Sequence, residues 1–149
     1  MTSVRNLVVV SDLHLCSRLG LYPADYRMRL DDGGTYTASR LQRVLWRWWR
    51  EFWLEWVPTV TRGEPYAVVL NGDLVDGGAH HGSTAHISAN PEDQERLALH
   101  VLRPVRAAAV RLYVVRGTEA HAGTSGHYEE SLARQLDAVP DRDGRYARW

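Results

Sequence analysis

The sequence has 149 residues and equal numbers of basic and acidic side chains, 18 of each, so its formal net charge is zero at pH 7. This length suffices for one domain with a hydrophobic core, and the charge balance gives no global preference for nucleic acid, membranes or acidic partners. The single cysteine, Cys16, excludes an internal disulfide, and no apolar segment reaches transmembrane length or has the pattern of a signal peptide. These features predict a cytoplasmic α/β domain with no membrane association.

The first predicted element is a β-strand over residues 7–10, which are apolar and mostly β-branched. A run this short and this β-branched is typical of a strand buried on both faces of a parallel sheet. Asp12 and His14 follow just past its C-terminal end, where open α/β sheets bind their ligands. Because alternate side chains can point the same way, the two residues can chelate one divalent metal ion. Taken alone, the pair also fits a surface carboxylate beside a solvated histidine.

Residues 16–36 show neither a helical nor a strand period and are predicted to form a long loop. Inside a small domain, a loop of this length is usually functional or mobile. Within it, residues 31–34 have the sequence Asp-Asp-Gly-Gly, which is typical of a turn. This cluster fits a solvated turn or, alternatively, a second group of metal ligands.

A long helix is predicted from residue 37 or 38 to Val57, where Pro58 ends it. Its apolar side chains recur at helical spacing and predict a wide buried face. Five of the six tryptophans lie between Trp46 and Trp56, which favours core packing and cover for a sheet edge over a base-stacking or partner surface. Trp46 falls toward the polar side and is the tryptophan expected to be exposed to a partner. The apolar stripe consists of Leu41, Leu45, Trp48, Phe52 and Trp56.

Two further strands are predicted at residues 66–70 and 111–115, and polar groups follow each of them. After the first of these strands comes Asp73, preceded by Gly72, which lets the backbone approach a metal ion or an anion closely. The ends of the first two strands in the chain are predicted to be neighbours. The polar residues after the third strand are Thr118, Glu119 and His121.

Helices are predicted on either side of the third strand. Asn90 is the expected N-cap of one helix, Pro91 its first residue, and Pro104 a position that kinks or ends it. Another helix is predicted over residues 127–136, and residues 146–149 have the pattern of the start of a further strand. This alternation of strands and helices predicts right-handed crossovers and a parallel sheet.

Three parallel strands thus deliver Asp, His or Glu side chains to the same edge of the sheet, which is much less expected by chance than any one motif. Two divalent ions bridged by a carboxylate can orient a phosphate, lower the pKa of a bound water and neutralise the departing oxygen. The recurrence therefore favours two-metal hydrolysis of a phosphate ester.

At these residues the sequence resembles the calcineurin-like metallophosphoesterase superfamily, whose blocks D-x-H, G-D and G-N-H-(D/E) follow the first three core strands. Residues 12–14 match the first block, and Gly72 with Asp73 matches the second. The resemblance implies an αββα sandwich with a parallel-core sheet and flanking helices, of which this chain is the N-terminal half. It also implies that Asp12 and His14 hold one divalent ion and that Asp73 bridges two, with Mn, Fe, Zn or Mg as candidate metals.

The third block departs from the family pattern, because Gly117 is followed by Thr118 and Glu119. Thr118 stands at the position of the family's amide ligand, although a neutral hydroxyl is a poorer ligand for a divalent ion. Glu119 is an anionic donor that can take over the second metal. His121 serves either as a ligand or as the catalytic general acid that protonates the leaving oxygen, and a loop histidine bonded to the backbone is the alternative.

The family also has a lone histidine and a G-H-x-H block further on, and the sequence ends before either of them. Residues 1–149 are therefore expected to form a single domain that is incomplete at its C-terminus, with weak metal binding and self-association as the consequences. His80 and His81, in the glycine-rich loop after the second block, contact substrate phosphate, supply a ligand to a metal ion or are solvated. His86, in the same loop, has the same three interpretations.

The predicted function is that of a metallophosphoesterase that hydrolyses a phosphomonoester or phosphodiester through a metal-bound water at a dinuclear site. Nucleotides, nucleic-acid ends, phosphoproteins and small phosphodiesters are all candidate substrates, and four arginines around the long loop favour nucleic acid. The alternative is a non-catalytic binding module with a vestigial metal site, in which the Trp-rich helix is the interaction surface. The four arginines are Arg18, Arg27, Arg29 and Arg40.

Overall fold

The computed structural model of the protein describes residues 4–77, 85–122 and 127–148. Strands and helices alternate along them in the order typical of an α/β domain. The strands are β1 (Asn6–Val10), β2 (Met28–Arg29), β3 (Thr35–Tyr36), β4 (Tyr66–Asn71), β5 (Arg111–Val115) and β6 (Ala147–Arg148). The helices are α1 (Arg40–Glu51), a π-helical segment (Phe52–Trp56), α2 (Val57–Thr61), α3 (Pro91–Ala108), α4 (Glu119–Ala122) and α5 (His127–Gln135).

Within the described residues, four strands form one sheet in the order β1-β4-β5-β6, and each neighbouring pair is parallel. The short strands β2 and β3 form a separate antiparallel hairpin. The parallel sheet with its flanking helices confirms the predicted α/β fold class. Val10 pairs with Leu70 at the C-terminal ends of β1 and β4, so these two ends are neighbours, as predicted.

The two faces of the sheet differ in how well they are covered. Val8, Val68 and Leu112 lie side by side on one face, are almost fully buried and belong to the main hydrophobic core. On the other face of β1, Leu7 is 61% exposed and Val9 is 54% exposed. The prediction that the first strand is buried on both faces is therefore wrong. An uninterrupted apolar run does not distinguish a central strand from an edge strand with one open face.

Helix α1 begins with a capping box. The Ser39 hydroxyl accepts a hydrogen bond from the N–H of Gln42, and the Gln42 side chain accepts one from the N–H of Ser39. Gln42 is fully buried, and its amide also donates to the carbonyl of Ser17 and accepts from the hydroxyl of Tyr36. Because this cap fixes the first turn, the helix begins at Arg40, slightly later than predicted.

Pro58 does not end the helical stretch, contrary to the prediction. The π-helical segment inserts a wider turn before it, in which the N–H of Val57 is bonded to the carbonyl of Phe52. Pro58 then lies in the first turn of α2, where the missing N–H of proline is tolerated. The stretch continues to Thr61 and is capped by Arg62, whose φ of 55° is left-handed.

The Trp-rich stretch, which comprises α1, the π-helical segment and α2, buries less surface than its apolar stripe predicts. Leu41, Trp48 and Trp56 are 47%, 56% and 54% exposed, and no residue of the π-helical segment is fully buried. Trp46, the tryptophan predicted to be exposed, is half-buried against the core. The predictions of a wide buried face and of an exposed Trp46 are both wrong. Helical periodicity defines which side chains share a face, whereas the neighbouring elements decide whether that face is covered.

Residues 16–36 contain the hairpin of β2 and β3 and pack against the core, so the prediction that they lack secondary structure is wrong. Tyr22 and Cys16 are fully buried in this segment. Burial raises the pKa of the Cys16 thiol to about 11, so the thiol is protonated at neutral pH. The predicted turn is present, with the Asp32 carboxylate accepting a hydrogen bond from the N–H of Gly34.

Helix α3 begins where the sequence predicts it, and the side chain of Asn90 accepts a hydrogen bond from the N–H of Glu92. Pro104 lies inside α3, which continues to Ala108, so the proline does not end the helix. None of the helices in the described residues combines the length and the apolar character that crossing a bilayer requires. The helices supply much of the core, through Leu97, Val101, Leu102, Val105, Leu132 and Ala133.

Candidate metal centre

Backbone hydrogen bonds join the chain segments that follow β1 and β4. The N–H of Asp12 donates to the carbonyl of Gly72 at 3.2 Å, and the N–H of His14 donates to the carbonyl of Asp73 at 3.0 Å. Asp12, His14 and Asp73 all have left-handed backbone conformations, with φ of 56°, 43° and 52°. Such conformations are unfavourable for residues other than glycine and persist where surrounding contacts hold them, often at functional sites. The two strand ends thus hold three polar side chains in a constrained arrangement.

Two glycines permit the close approach of the ends of β4 and β5. Gly72 has a φ of 74°, and a Cβ atom on it would collide with the backbone of Gly117. A Cβ atom on Gly117 would collide in turn with the backbone and carboxylate of Asp73. A larger residue at position 72 would therefore displace the backbone of Gly117, and one at position 117 would displace Asp73.

Two overlapping groups of potential metal ligands lie at this edge of the sheet. The ligand atoms of Asp12, His14 and Asp73 lie within 4.8 Å of one another, and those of His14, Asp76 and His121 satisfy the same limit. His14 belongs to both groups, and its Nε2 lies 3.8 Å from Oδ1 of Asp12. The structure thus brings together Asp12, His14 and Asp73 from the first two predicted blocks, and His121 from the third.

Thr118 contacts the Asp73 carboxylate directly. Its backbone N–H donates to Oδ1 of Asp73 at 2.8 Å, and its hydroxyl lies 3.2 Å from the same oxygen. Both hydrogen bonds engage one oxygen, so they orient the carboxylate and leave Oδ2 as the oxygen suited to a ligand role.

His121 is oriented by a backbone carbonyl, since its Nδ1 lies 2.9 Å from the carbonyl oxygen of Asp76. A carbonyl only accepts hydrogen bonds, so Nδ1 carries the proton and the lone pair of the neutral ring is on Nε2. The His121 ring contacts the His14 ring edge to face, with centroids 4.4 Å apart.

Asp76 belongs to a ligand group, although no metal-binding role was predicted for it from the sequence. Its side chain is only 7% exposed, and its Oδ2 lies 2.7 Å from Nδ1 of His86, which is 17% exposed. His86 comes from the loop after the second block, where the sequence suggested substrate contact, a metal ligand or a solvated side chain. A second carboxylate three residues after Asp73 is the only signal in the sequence for Asp76.

Glu129 is a second buried acid that sequence reasoning missed. Its carboxylate accepts hydrogen bonds from the N–H of Gly117 at 2.6 Å and from the N–H of Leu74 at 3.3 Å. Burial raises the pKa of Glu129 above its usual range, while these N–H groups act in the opposite direction. Glu129 therefore ties α5 to the two loops that carry Asp73 and Thr118. Sequence patterns do not predict contacts between a helical side chain and loops that lie 12 and 55 residues away in the chain.

The remaining predicted site residues lie elsewhere. Glu119 is exposed in the first turn of α4 and belongs to neither ligand group found among the described residues. The predicted substrate-contacting residues His80 and His81 lie outside the described residues. The described candidate ligands are thus supplied by the loops after β1 and β4 and by the start of α4.

Comparison with known protein families gave a match over most of the chain. The model of the calcineurin-like phosphoesterase family matches residues 5–134, which include both ligand groups. Among curated proteins, no match was found.

Proposed function

Because the chain belongs to the calcineurin-like phosphoesterase family, we propose that it hydrolyses phosphate esters at a dinuclear metal site beside the ends of β1 and β4. The observation that carries this proposal is that His14 belongs to both ligand groups, each of which has its ligand atoms within 4.8 Å of one another. Two ligand groups that meet at one residue would place two ions next to each other, as two-metal hydrolysis requires.

The donor atoms of the two groups fit divalent metals. Carboxylate oxygens suit Mg and Mn, imidazole nitrogens suit Zn and Fe, and both groups combine the two donor types. Asp12, His14 and Asp73 would hold one ion, and Asp76 with His121 would contribute to the second. The chemistry that such ions supply when bound is polarisation of a phosphoryl oxygen and activation of a water molecule.

Asp73 is the carboxylate that would serve both ions if two are bound. A neutral imidazole offers one lone pair, so His14 would be a ligand of only one of the two ions. Thr118 holds Oδ1 of Asp73 through two hydrogen bonds, which supports a positioning role for Thr118 rather than a ligand role. Glu119, exposed and outside both groups, is the weaker candidate for the second ion.

For His121, the geometry supports the role of ligand over that of general acid. A carbonyl partner on Nδ1 fixes the tautomer with the lone pair on Nε2, which is the usual arrangement of a metal-bound histidine. The substitution His121→Ala should therefore lower metal occupancy and affect substrates with good and poor leaving groups alike. A loss confined to poor leaving groups, with occupancy unchanged, would assign His121 as the general acid.

Asp73→Asn tests the proposed function. The amide keeps the shape of the side chain but removes its charge, so Mn²⁺ affinity should fall at least about tenfold and phosphate release from bis(p-nitrophenyl) phosphate should fall with it. Asp143→Asn, in an exposed turn, is the matched control and should leave both quantities unchanged. If the two variants behave alike in Mn²⁺ titration and in phosphate release, the proposal is wrong.

A binding module with a vestigial metal site is the competing function, and the exposed Trp48 and Trp56 favour it. It predicts that the purified chain retains no stoichiometric metal and that Asp73→Asn changes no measurable property. Metal content after purification in Mn²⁺-containing buffer, measured by mass spectrometry, separates the two functions.

A further inference from the structure

An open groove of about 820 Å³ connects the candidate metal centre with the Trp-rich stretch. Asp12, His14 and Asp76 line it, and so do Trp48 and Phe52. A ligand bound in this groove would thus contact both the metal centre and the aromatic side chains. This volume is within the range of pockets that hold small organic molecules.

The walls of the groove away from the metal centre are apolar. The only ionisable side chains among the described lining residues are Asp12, His14 and Asp76, all of which belong to the candidate ligand groups. No arginine or lysine lines the groove within the described residues. The apolar lining residues outside the sheet are Leu13, Leu19, Leu21, Leu45, Trp48, Trp49 and Phe52.

The aromatic wall is accessible to a ligand. Trp48 is 56% exposed, and Leu19 is 70% exposed. Trp49 and Phe52 are half-buried and pack against the core, so the wall beside the exposed Trp48 indole is held in place by the core. Indole faces stack on flat rings, and such stacking contributes about tenfold to a hundredfold in affinity per ring.

We propose that this groove is a specificity subsite for the flat aromatic ring of a phosphate ester, with the phosphate at the metal centre and the ring against Trp48. The inference rests on the proposed phosphoesterase function. It narrows the substrate class to small esters that carry one aromatic group, either an aryl ring or a nucleobase.

Among the described residues that line the groove, none is basic, and this argues against a polynucleotide substrate. Protein contacts to a nucleic-acid backbone require several cationic groups along the bound strand. Arg18, Arg27, Arg29 and Arg40 favoured nucleic acid in the sequence, but none of the four lines this groove. A single aromatic phosphate ester needs no charge beyond that of the metal centre.

The test compares ligands that differ in their organic group and variants that differ in one tryptophan. Dissociation constants for phenyl phosphate, AMP and ethyl phosphate are measured by calorimetry on the Mn²⁺-loaded full chain. Trp48→Ala removes the indole from the groove, and Trp48→Phe keeps an aromatic ring there. Trp56→Ala is the matched control, because Trp56 is 54% exposed on the same helical stretch but does not line the groove.

The wild-type chain should bind phenyl phosphate or AMP about tenfold more tightly than ethyl phosphate. Trp48→Ala should abolish this preference while leaving ethyl phosphate binding unchanged, and Trp48→Phe and Trp56→Ala should retain it. Tighter binding of AMP would identify a nucleobase as the ring, and tighter binding of phenyl phosphate would identify an aryl group. Equal affinity for all three ligands, or equal effects of Trp48→Ala and Trp56→Ala, would overturn the proposal.

Two further results separate this inference from the proposed function. Phosphate release that depends on Asp73 but shows no preference for aromatic esters would leave the function standing and overturn the subsite. A Trp48-dependent preference in binding without any hydrolysis would support the subsite and overturn the function. A change of oligomeric state in Trp48→Ala would assign the groove to a protein contact and also overturn the subsite.

Discussion

Oδ2 of Asp76 lies 2.7 Å from Nδ1 of His86, and both side chains are largely buried. The backbone carbonyl of Asp76 lies 2.9 Å from Nδ1 of His121, so Asp76 contacts two histidines through different atoms. His121 belongs with Asp76 to a candidate ligand group, whereas His86 contacts the Asp76 carboxylate and belongs to neither group found among the described residues. This arrangement makes His86 a positioning residue for a buried acid.

His86→Ala should therefore destabilise the fold and weaken metal binding. Removing the imidazole leaves the Asp76 carboxylate buried without this partner, which costs about 1–3 kcal/mol. We expect a lower midpoint in thermal denaturation and a lower Mn²⁺ affinity. His100→Ala is the control, because His100 is exposed on α3 and contacts Tyr26 away from both ligand groups. Equal effects of the two substitutions would contradict the positioning role.

Thr118→Val should separate the positioning role of Thr118 from a ligand role. Valine keeps the branched shape and the backbone N–H that bonds to Asp73 but removes the hydroxyl contact at 3.2 Å. Loss of this outer hydrogen bond should lower Mn²⁺ affinity by clearly less than Asp73→Asn does, and Thr118→Ser, which keeps the hydroxyl, should bind Mn²⁺ like the wild type. A loss in Thr118→Val as large as that in Asp73→Asn would instead place Thr118 among the ligands.

The sequence predicted the positions of the strands that lead to the site better than it predicted which faces of the sheet are buried. The strand predicted at residues 111–115 coincides with β5, and the strand predicted at residues 66–70 differs from β4 only in lacking Asn71. Short β-branched runs between turn residues leave few alternatives for the backbone. The exposure of Leu7 and Val9 was not predictable, because it depends on which elements lie beside β1.

For the candidate site, the sequence indicated the residues at strand ends but not those that support them. Asp12, His14 and Asp73 follow strands directly, and parallel pairing of β1 with β4 brings them together. Asp76 and Glu129 escaped prediction because their roles depend on tertiary contacts, with His86 in one case and with the N–H groups after β4 and β5 in the other.

Glu130 should make the stability of the chain depend on pH through the docking of β6. Its carboxylate accepts hydrogen bonds from the N–H groups of Tyr146 and Ala147, with distances of 2.8 to 3.1 Å. Partial burial opposes ionisation, but these N–H groups and Arg134 prevail and lower the pKa of Glu130 below its ordinary value of 4.5. A lowered pKa in the folded state stabilises the fold above that ordinary value, and the stabilisation is lost as the pH falls through the folded-state pKa.

Glu130→Gln should thus destabilise the chain at pH 7 by about 1 kcal/mol, because a neutral amide oxygen is a weaker acceptor than a carboxylate. The difference from the wild type should shrink as the pH falls below 4.5 and through the lowered folded-state pKa of Glu130, where the wild-type carboxylate itself becomes protonated. Urea denaturation at several pH values measures both effects. Glu55→Gln, at an exposed position of the π-helical segment, should show no such difference, and a pH-independent effect of Glu130→Gln would contradict the electrostatic explanation.

The open face of β1 should cause self-association, and Leu7→Lys should reduce it. Leu7 is 61% exposed and lines a cavity with Trp56 and Val60, which are themselves 54% and 56% exposed. Within the described residues β1 pairs only with β4, so its outer edge can also accept another strand. A lysine at an edge position disfavours such pairing, because docking would desolvate its charge.

Light scattering coupled to size-exclusion chromatography should therefore show a concentration-dependent increase in mass for the wild type and a smaller one for Leu7→Lys. Val110→Lys is the matched control, because Val110 is 42% exposed but lies before β5, away from the edge of β1. It adds the same charge, so a general gain in solubility would appear in both variants, whereas a specific effect on this edge appears in Leu7→Lys alone. A wild-type chain that stays monomeric at all concentrations would show that the exposed Leu7, Trp56 and Val60 do not drive association.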